Sequence, residues 1–279
     1  VEDRAAFWTA VWDDCGVIGV KGNVALENGD RMLDARFFSE GRLNFAENLL
    51  KTTGAGDAIV FRGEDKVTYR WSWDELRARV SKLQQAFAAL GIGEGDRVAA
   101  MMPNMPETIA CMLAAASLGA IWSSCSPDFG EQGVLDRFGQ IEPKLFITCD
   151  AYWYAGKLQD VSAKVQAVAG KLGVPVLVVH YAGDAEALAA SLADGRSLEA
   201  LTAPYEAKPV TFVQLPFRHP LYILFSSGTT GVPKCIVHSA GGTLLQHLKE
   251  QRLHCGLVEG DRLFYFTTCG WMMWNWLVS

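Results

Sequence analysis

Between residues 72 and 179 the sequence alternates two hydrophobic periods, and that alternation restricts the chain to an α/β architecture before any motif is considered. Ser72-Trp73-Asp74-Glu75 fits a capping box, in which the serine hydroxyl accepts from the Glu75 amide and the Glu75 carboxylate reaches back to the Ser72 amide. Leu76, Val80, Leu83, Phe87 and Leu90 then recur at steps of four and three, which places them on one helical face, and the glycines at 91 and 95 supply a stop and a turn. The spacing predicts a strand over 97–102, a turn over 103–106, a helix over 107–118 and a strand over 120–123. The same rhythm continues with a helix over 131–140, a strand over 145–148, a helix over 161–171 and a strand over 176–179. Short apolar strands separated by helices predict a doubly wound parallel sheet with helices on both faces.

A chain of 279 residues, half of them apolar, supports one large domain or two compact ones. The most apolar stretch, 109–122, is interrupted by Ser117 and Gly119 and falls short of the roughly 20 residues a bilayer span requires, so it reads as a buried helix entering a core strand. Net charge is −6 and no block of Lys or Arg is present, which excludes nucleic acid and an anionic membrane as the main partner and leaves small-molecule chemistry. Seven cysteines, odd in number and scattered, contain no pair at metal-ligand or redox spacing and read as reduced thiols of a cytoplasmic protein. The chain opens on Val1 rather than Met and stops on the apolar run Trp276-Leu277-Val278-Ser279, from which a longer polypeptide is expected.

From 183 to 220 the periodicity weakens and prolines accumulate, so this stretch is expected to be a surface connection. The apolar run 222–225 then reads as a core strand that leads into Ser226-Ser227-Gly228-Thr229-Thr230-Gly231-Val232-Pro233-Lys234. Four hydroxyls, two glycines and a lysine directly after a strand suit a polyphosphate: glycine lets backbone amides close in on oxyanions, hydroxyls donate further bonds, and lysine adds a full charge. It is not a Walker A loop, because the glycines stand three apart and Lys234 follows Pro233. Composition alone would make this run a surface turn; the order of its residues is what carries the assignment.

That order resembles, residue by residue, the phosphate-binding signature of the adenylate-forming superfamily, which includes acyl-CoA synthetases, luciferases and peptide-synthetase adenylation domains. Trp73-Asp74-Glu75-Leu76, the run from Gly95-Asp96-Arg97-Val98 through Pro103-Asn104 to Gly119-Ala120, and Ser126-Pro127-Asp128-Phe129-Gly130 are similar to its upstream motifs, in the expected order, over roughly residues 40–279. Three further stretches resemble the acetoacetyl-CoA synthetase branch: Leu43-Asn44-Phe45-Ala46-Glu47-Asn48-Leu49-Leu50, Lys234-Cys235-Ile236-Val237-His238, and the run 266–276 with Gly270-Trp271.

The resemblance implies an α/β adenylate-forming N-terminal domain, with 1–50 as an extension packing on the core and 51–279 as the first part of the AMP-binding domain. The rest of that domain and the small C-terminal domain are expected beyond Ser279, and with them the adenine-binding loop, the acid that holds Mg²⁺, an Asp on the ribose and the lysine that contacts the reacting carboxylate; no catalytic residue is assigned within the chain. ATP, Mg²⁺ and coenzyme A are the implied cofactor and cosubstrates, and acetoacetate the acid. Ser226, Ser227, Gly228, Thr229, Thr230, Gly231 and Lys234 would hold the ATP phosphates, and Trp271, Met272 and Met273 would wall a small acyl pocket, with Asn275 a candidate donor to a substrate carbonyl. Three tryptophans and two methionines in six residues read equally as core or a partner surface when the family is set aside. Two alternatives stand beside this: the same chemistry on acetate, propionate or another 3-oxoacid, and a non-catalytic nucleotide-binding fragment. Lys157 falls near where related synthetases bind the CoA nucleotide, yet reads first as a surface lysine. His247 and His254, seven apart on a helix predicted over 243–253, read as packing or solvent contacts rather than metal ligands.

Overall fold

The computed structural model describes residues 2–226 and 231–279. Its centre is a seven-stranded sheet made of β1 (Arg97–Met101), β2 (Ile121–Cys125), β3 (Leu145–Cys149), β4 (Val176–Val179), β5 (Gly195–Ser197), β6 (Pro220–Ser226) and β7 (Lys234–Ser239). Their order across the sheet is β5-β4-β3-β1-β2-β6-β7, with every neighbour parallel except β7, which returns antiparallel to β6. β2, β3 and β4 are buried along their whole length, as strands covered on both faces must be, which explains why they read as continuous apolar runs.

Helices α1 (Trp73–Ala89), α2 (Pro106–Ser117), α3 (Glu131–Phe138) and α4 (Ser162–Leu172) make the crossovers, each within two residues of its expected bounds. The capping box at α1 is formed: Ser72 Oγ accepts from Glu75 N at 3.2 Å and Glu75 Oε2 accepts from Ser72 N at 2.7 Å. Leu76, Val80, Leu83 and Phe87 are buried on one face of α1, as their stride predicts. α2 is apolar nearly all round because it is buried nearly all round. Among the described residues no helix is long and apolar enough to cross a membrane.

Two parts differ from expectation. The supposed surface connection contains two short helices, Ala185–Ala190 and Leu198–Thr202, around edge strand β5, and it buries Leu201, Leu215 and Phe217. A three-residue strand is too short to show a period, and the prolines mask the rest. β7, which follows the Ser/Thr/Gly run, returns antiparallel to β6 with Ser226 opposite Lys234. The helix expected over 243–253 begins earlier, as α5 (Ala240–Lys249), and its last turn, Glu250–His254, widens to π geometry.

The first fifty residues meet the core through an aromatic cluster, with Trp12 and Phe38 ring centres 5.2 Å apart and Phe38 and Phe217 5.1 Å apart. Gly241 is required there, since a Cβ would stand 2.2 Å from the Phe217 ring. The motif 43–50 works as an anchor. Asn44 caps the helix Phe45–Leu49 through Oδ1, and its Nδ2 donates to the carbonyls of Ala116, Ser117 and Val213. Asn48 pairs both ways with the backbone of Ile18.

Candidate active site

Ligands of open α/β sheets bind outside the carboxyl ends of the strands, where strand order reverses. Here β1 lies between β2 and β3, and the chain later returns from the β5 edge to lay β6 beside β2. Three segments meet at the carboxyl edge of β1 and β2, the turn after β1 with Asn104, the loop 126–130 after β2 and the segment 268–275, and β6, the next strand, ends at Ser226.

The loop after β2 is held from several sides. Asp128 accepts from Ser126 Oγ at 2.6 Å and from Tyr152 OH at 2.6 Å. Lys164 of α4 donates to the carbonyls of Pro127 and Phe129, at 2.5 and 2.9 Å, while the Arg137 guanidinium lies 4.1 Å from the Phe129 ring centre. Burial, then the hydrogen bond to Asp128, pushes the Tyr152 hydroxyl well above the ordinary phenol range, so it serves as a donor.

Onto this loop packs the segment 268–275. Ser124 Oγ donates to the Cys269 carbonyl at 2.7 Å, and a Cβ on Gly270 would stand 3.4 Å from the Ser126 amide, so the backbone lies flat against the loop. Trp274 is fully buried and donates from Nε1 to Asn104 Oδ1 at 2.9 Å. Burial pushes the thiols of Cys125 and Cys269 up, that of Cys125 to about 12, which leaves both as protonated packing groups.

Of the residues singled out from the sequence, Ser226 and Lys234 face each other as a cross-strand pair at the mouth of the hairpin. Gly231 sits at φ +89°, a conformation suited to glycine, with open space where a Cβ would be. Ser227, Gly228, Thr229 and Thr230 lie outside the described residues. Trp271 and Met272 are 67% and 50% exposed and Met273 is half-buried, so among the described residues these three form an open surface rather than a closed pocket. The buried pair in this run is Trp274 and Asn275, and both side-chain polar atoms of Asn275 lack a hydrogen-bond partner among the described residues. Lys157 is exposed on a hairpin whose turn places Ala155 and Gly156 at positive φ. Hollows of about 350 and 360 Å³ exist elsewhere, and among the described residues none of these edge segments lines either.

Asp150, which the sequence reading passed over, closes the end of β3. Its carboxylate accepts from the amides of Ala151, Tyr181 and Ala182 and pairs with His180 Nδ1 at 2.7 Å, tying the loops after β3 and β4 together. A lone Asp beside an apolar run has no sequence signal that separates it from a surface acid. Among the described residues no three His, Cys, Asp or Glu side chains converge as a metal site.

His247 is buried on α5, with Nδ1 2.7 Å from Ser279 Oγ, while His254 stands exposed beside Glu250. Burial, reinforced by nearby His238 and opposed by Glu250, pushes the His247 pKa down to about 4 from 6.5. A histidine held neutral contributes stability that is complete above its unfolded value and is lost as pH falls through the folded one. Thermal midpoints between about pH 7.5 and about pH 4.5 are therefore expected to drop more steeply for the parent than for His247→Gln. Parallel slopes would remove His247 as a source of acid sensitivity.

The sequence profile of a family described as "AMP-binding enzyme" matches residues 48–278. The chain is 74% identical, over its whole length, to an acetoacetyl-coenzyme A synthetase of Rhizobium meliloti (strain 1021), and 41% identical to an acetoacetyl-CoA synthetase of Macaca fascicularis. It spans 43% of the length of each. A malonamoyl-CoA synthetase, vrtB of Penicillium aethiopicum, is 41% identical, with 41% of its length covered. Among solved structures, an acetoacetyl-CoA synthetase from Streptomyces lividans superposes with a TM-score of 0.91 at 40% identity, matching the whole chain and 43% of its own.

Proposed function

Because the chain belongs to the AMP-binding enzyme family, we propose that it forms part of an acid:CoA ligase that activates acetoacetate as acetoacetyl-AMP and transfers the acyl group to coenzyme A. The observation that carries this reading is the whole-length 74% identity to a relative named for that activity, joined to a Ser/Thr/Gly/Lys hairpin at the carboxyl edge of the sheet. In the first half-reaction a carboxylate oxygen of acetoacetate attacks the α-phosphorus of ATP, and the bond to the β-phosphate breaks to release pyrophosphate. In the second, the CoA thiolate attacks the acyl carbon and AMP leaves.

The negative charge that grows on the departing pyrophosphate calls for fixed donors and a cation. Ser226, Ser227, Thr229, Thr230 and Lys234, with the glycines Gly228 and Gly231 admitting the phosphates, are the groups assigned to that task. Trp271, Met272 and Met273 are assigned to the acyl side. Small substrates in a cytoplasmic setting, without nucleic acid or membrane, complete the reading.

A second acid is favoured by one observation. The malonamoyl-CoA synthetase relative acts, by its name, on an acyl group that differs from acetoacetyl only in carrying an amino group where acetoacetyl has a methyl. The test is to express the intact reading frame and follow pyrophosphate release with MgATP and acetoacetate, malonamate, acetate, propionate or butyrate, each with and without CoA. Preference for acetoacetate with CoA-dependent thioester formation is the expected result, preference for malonamate would move the assignment, and no turnover with any acid would leave only nucleotide binding. Trp271→Ala is expected to raise kcat/KM for a six-carbon 3-oxoacid by roughly tenfold relative to acetoacetate, the scale of one or two methylenes in an apolar pocket. An unchanged chain-length preference would remove Trp271 from the pocket.

A further inference from the structure

The register of the β6–β7 hairpin sets Ser226 opposite Lys234 and Phe225 opposite Cys235. Directly opposed residues share a face of an antiparallel pair and successive residues alternate, so Ser226 and Lys234 face one way and Phe225 and Cys235 the other. The end of α3 approaches the second face. Its Arg137 guanidinium lies 5.9 Å from the Phe225 ring centre, and Gln140, just beyond the end of α3, reaches the far strand. Gln140 Nε2 donates to the Pro233 carbonyl at 2.9 Å, and Gln140 Oε1 accepts from Cys235 Sγ at 3.9 Å.

One amide side chain therefore grips the backbone immediately before Lys234 and the side chain immediately after it. The geometry points to Gln140 as a positioning residue that sets where the Lys234 ammonium stands, by fixing its two chain neighbours on the opposite face of the strand. The inference rests on the reading of this hairpin as the ATP phosphate site. Gln140 itself is exposed, and it touches the exit of the loop rather than the face on which Lys234 projects. Lysine is a point charge on a long stem, so the position of its Cα decides how much rotamer freedom is lost on reaching a phosphate. A displacement of about 1 Å at such a group can cost up to about a hundredfold in rate.

The experiment uses the intact reading frame with Gln140→Met, which keeps the reach and removes both contacts, and Gln140→Glu, which keeps the reach but cannot donate to Pro233. Steady-state pyrophosphate release supplies KM for MgATP and for the acid, and amide hydrogen exchange reads the backbone over 231–237. In both variants KM for MgATP is expected to rise about tenfold while KM for the acid stays within about twofold, with faster exchange over 231–237 and an unchanged thermal midpoint. A wild-type KM for MgATP in either variant overturns the inference, as does an equal rise in the KM of both substrates. If the parent enzyme releases no pyrophosphate with any acid, the ATP reading fails and with it the positioning role. The exchange data still report separately whether Gln140 holds the strand.

Discussion

Lys234→Ala in the intact reading frame is expected to lower the rate of pyrophosphate formation by about a hundredfold while leaving the thermal midpoint within about 1 °C. Lys234 opens β7, is exposed, and is paired across the hairpin with Ser226, so its ammonium stands at the mouth of the connection rather than in the core. Among the described residues its removal leaves no cavity and orphans no buried group, and the fold should not register the change. A cation on the phosphates both holds bound MgATP and meets the leaving pyrophosphate as charge develops, so KM for MgATP should rise while kcat falls, and kcat/KM should fall by more than kcat. Lys234→Arg keeps the charge but replaces a compact ammonium with a planar fork, and partial recovery is expected. Unchanged kinetics in Lys234→Ala would remove its assigned role even if the enzyme proved to be an acetoacetate ligase.

Asn44→Ala is expected to do the reverse, costing about 3 kcal/mol of stability without touching the chemistry. Asn44 is fully buried, and its amide joins three separate parts of the chain: Oδ1 caps the helix Phe45–Leu49, while Nδ2 donates to Ala116, Ser117 and Val213 at 3.1, 3.2 and 2.9 Å. Truncation removes a helix cap and a donor shared by buried carbonyls. For a chain of this size the thermal midpoint should fall by roughly 6–12 °C. Asn44→Asp discriminates the two contributions, since aspartate caps as well as asparagine but cannot donate and brings a charge into the core. It should be at least as destabilising as alanine; restoration of the parent midpoint by aspartate would mean that capping alone matters.

These cases show what could be read from the chain and what could not. α1 was legible because its capping box and its stride of four and three lie within twenty residues and report the same element. β1 to β4 were legible as apolar runs between helices. The Ser/Thr/Gly/Lys run stood out by the order of its residues, but the strand after it did not, because β7 is an edge strand whose exposed residues follow no burial alternation. β5 was hidden by its length of three residues. Gln140, Asp150 and Asn44 escaped for another reason: an isolated polar residue looks the same in sequence whether it meets solvent or a partner far along the chain. Asn44 bonds carbonyls 72, 73 and 169 positions away, and no local window contains them. The run 271–276 is ambiguous in the same way, since which of its bulky side chains turns inward depends on the segments packed against it, and here Trp274 turns in while Trp271 turns out.

The strand order also bears on how the chain behaves while it is being made. β2 pairs with β1 on one edge and with β6 on the other, yet 94 residues, 126–219, separate the end of β2 from the start of β6. At synthesis rates of about 5–20 residues per second, β6 emerges roughly 5–20 s after β2. For that interval the nascent sheet can grow outward through β3, β4 and β5 while the other edge of β2, a strand buried on both faces in the finished fold, stays without its neighbour. An open edge of this kind is a template for pairing with another chain. The late crossover that delivers the β6–β7 hairpin is also the step that closes this edge, so a ribosome stall between 126 and 219 would leave a nascent chain prone to aggregation.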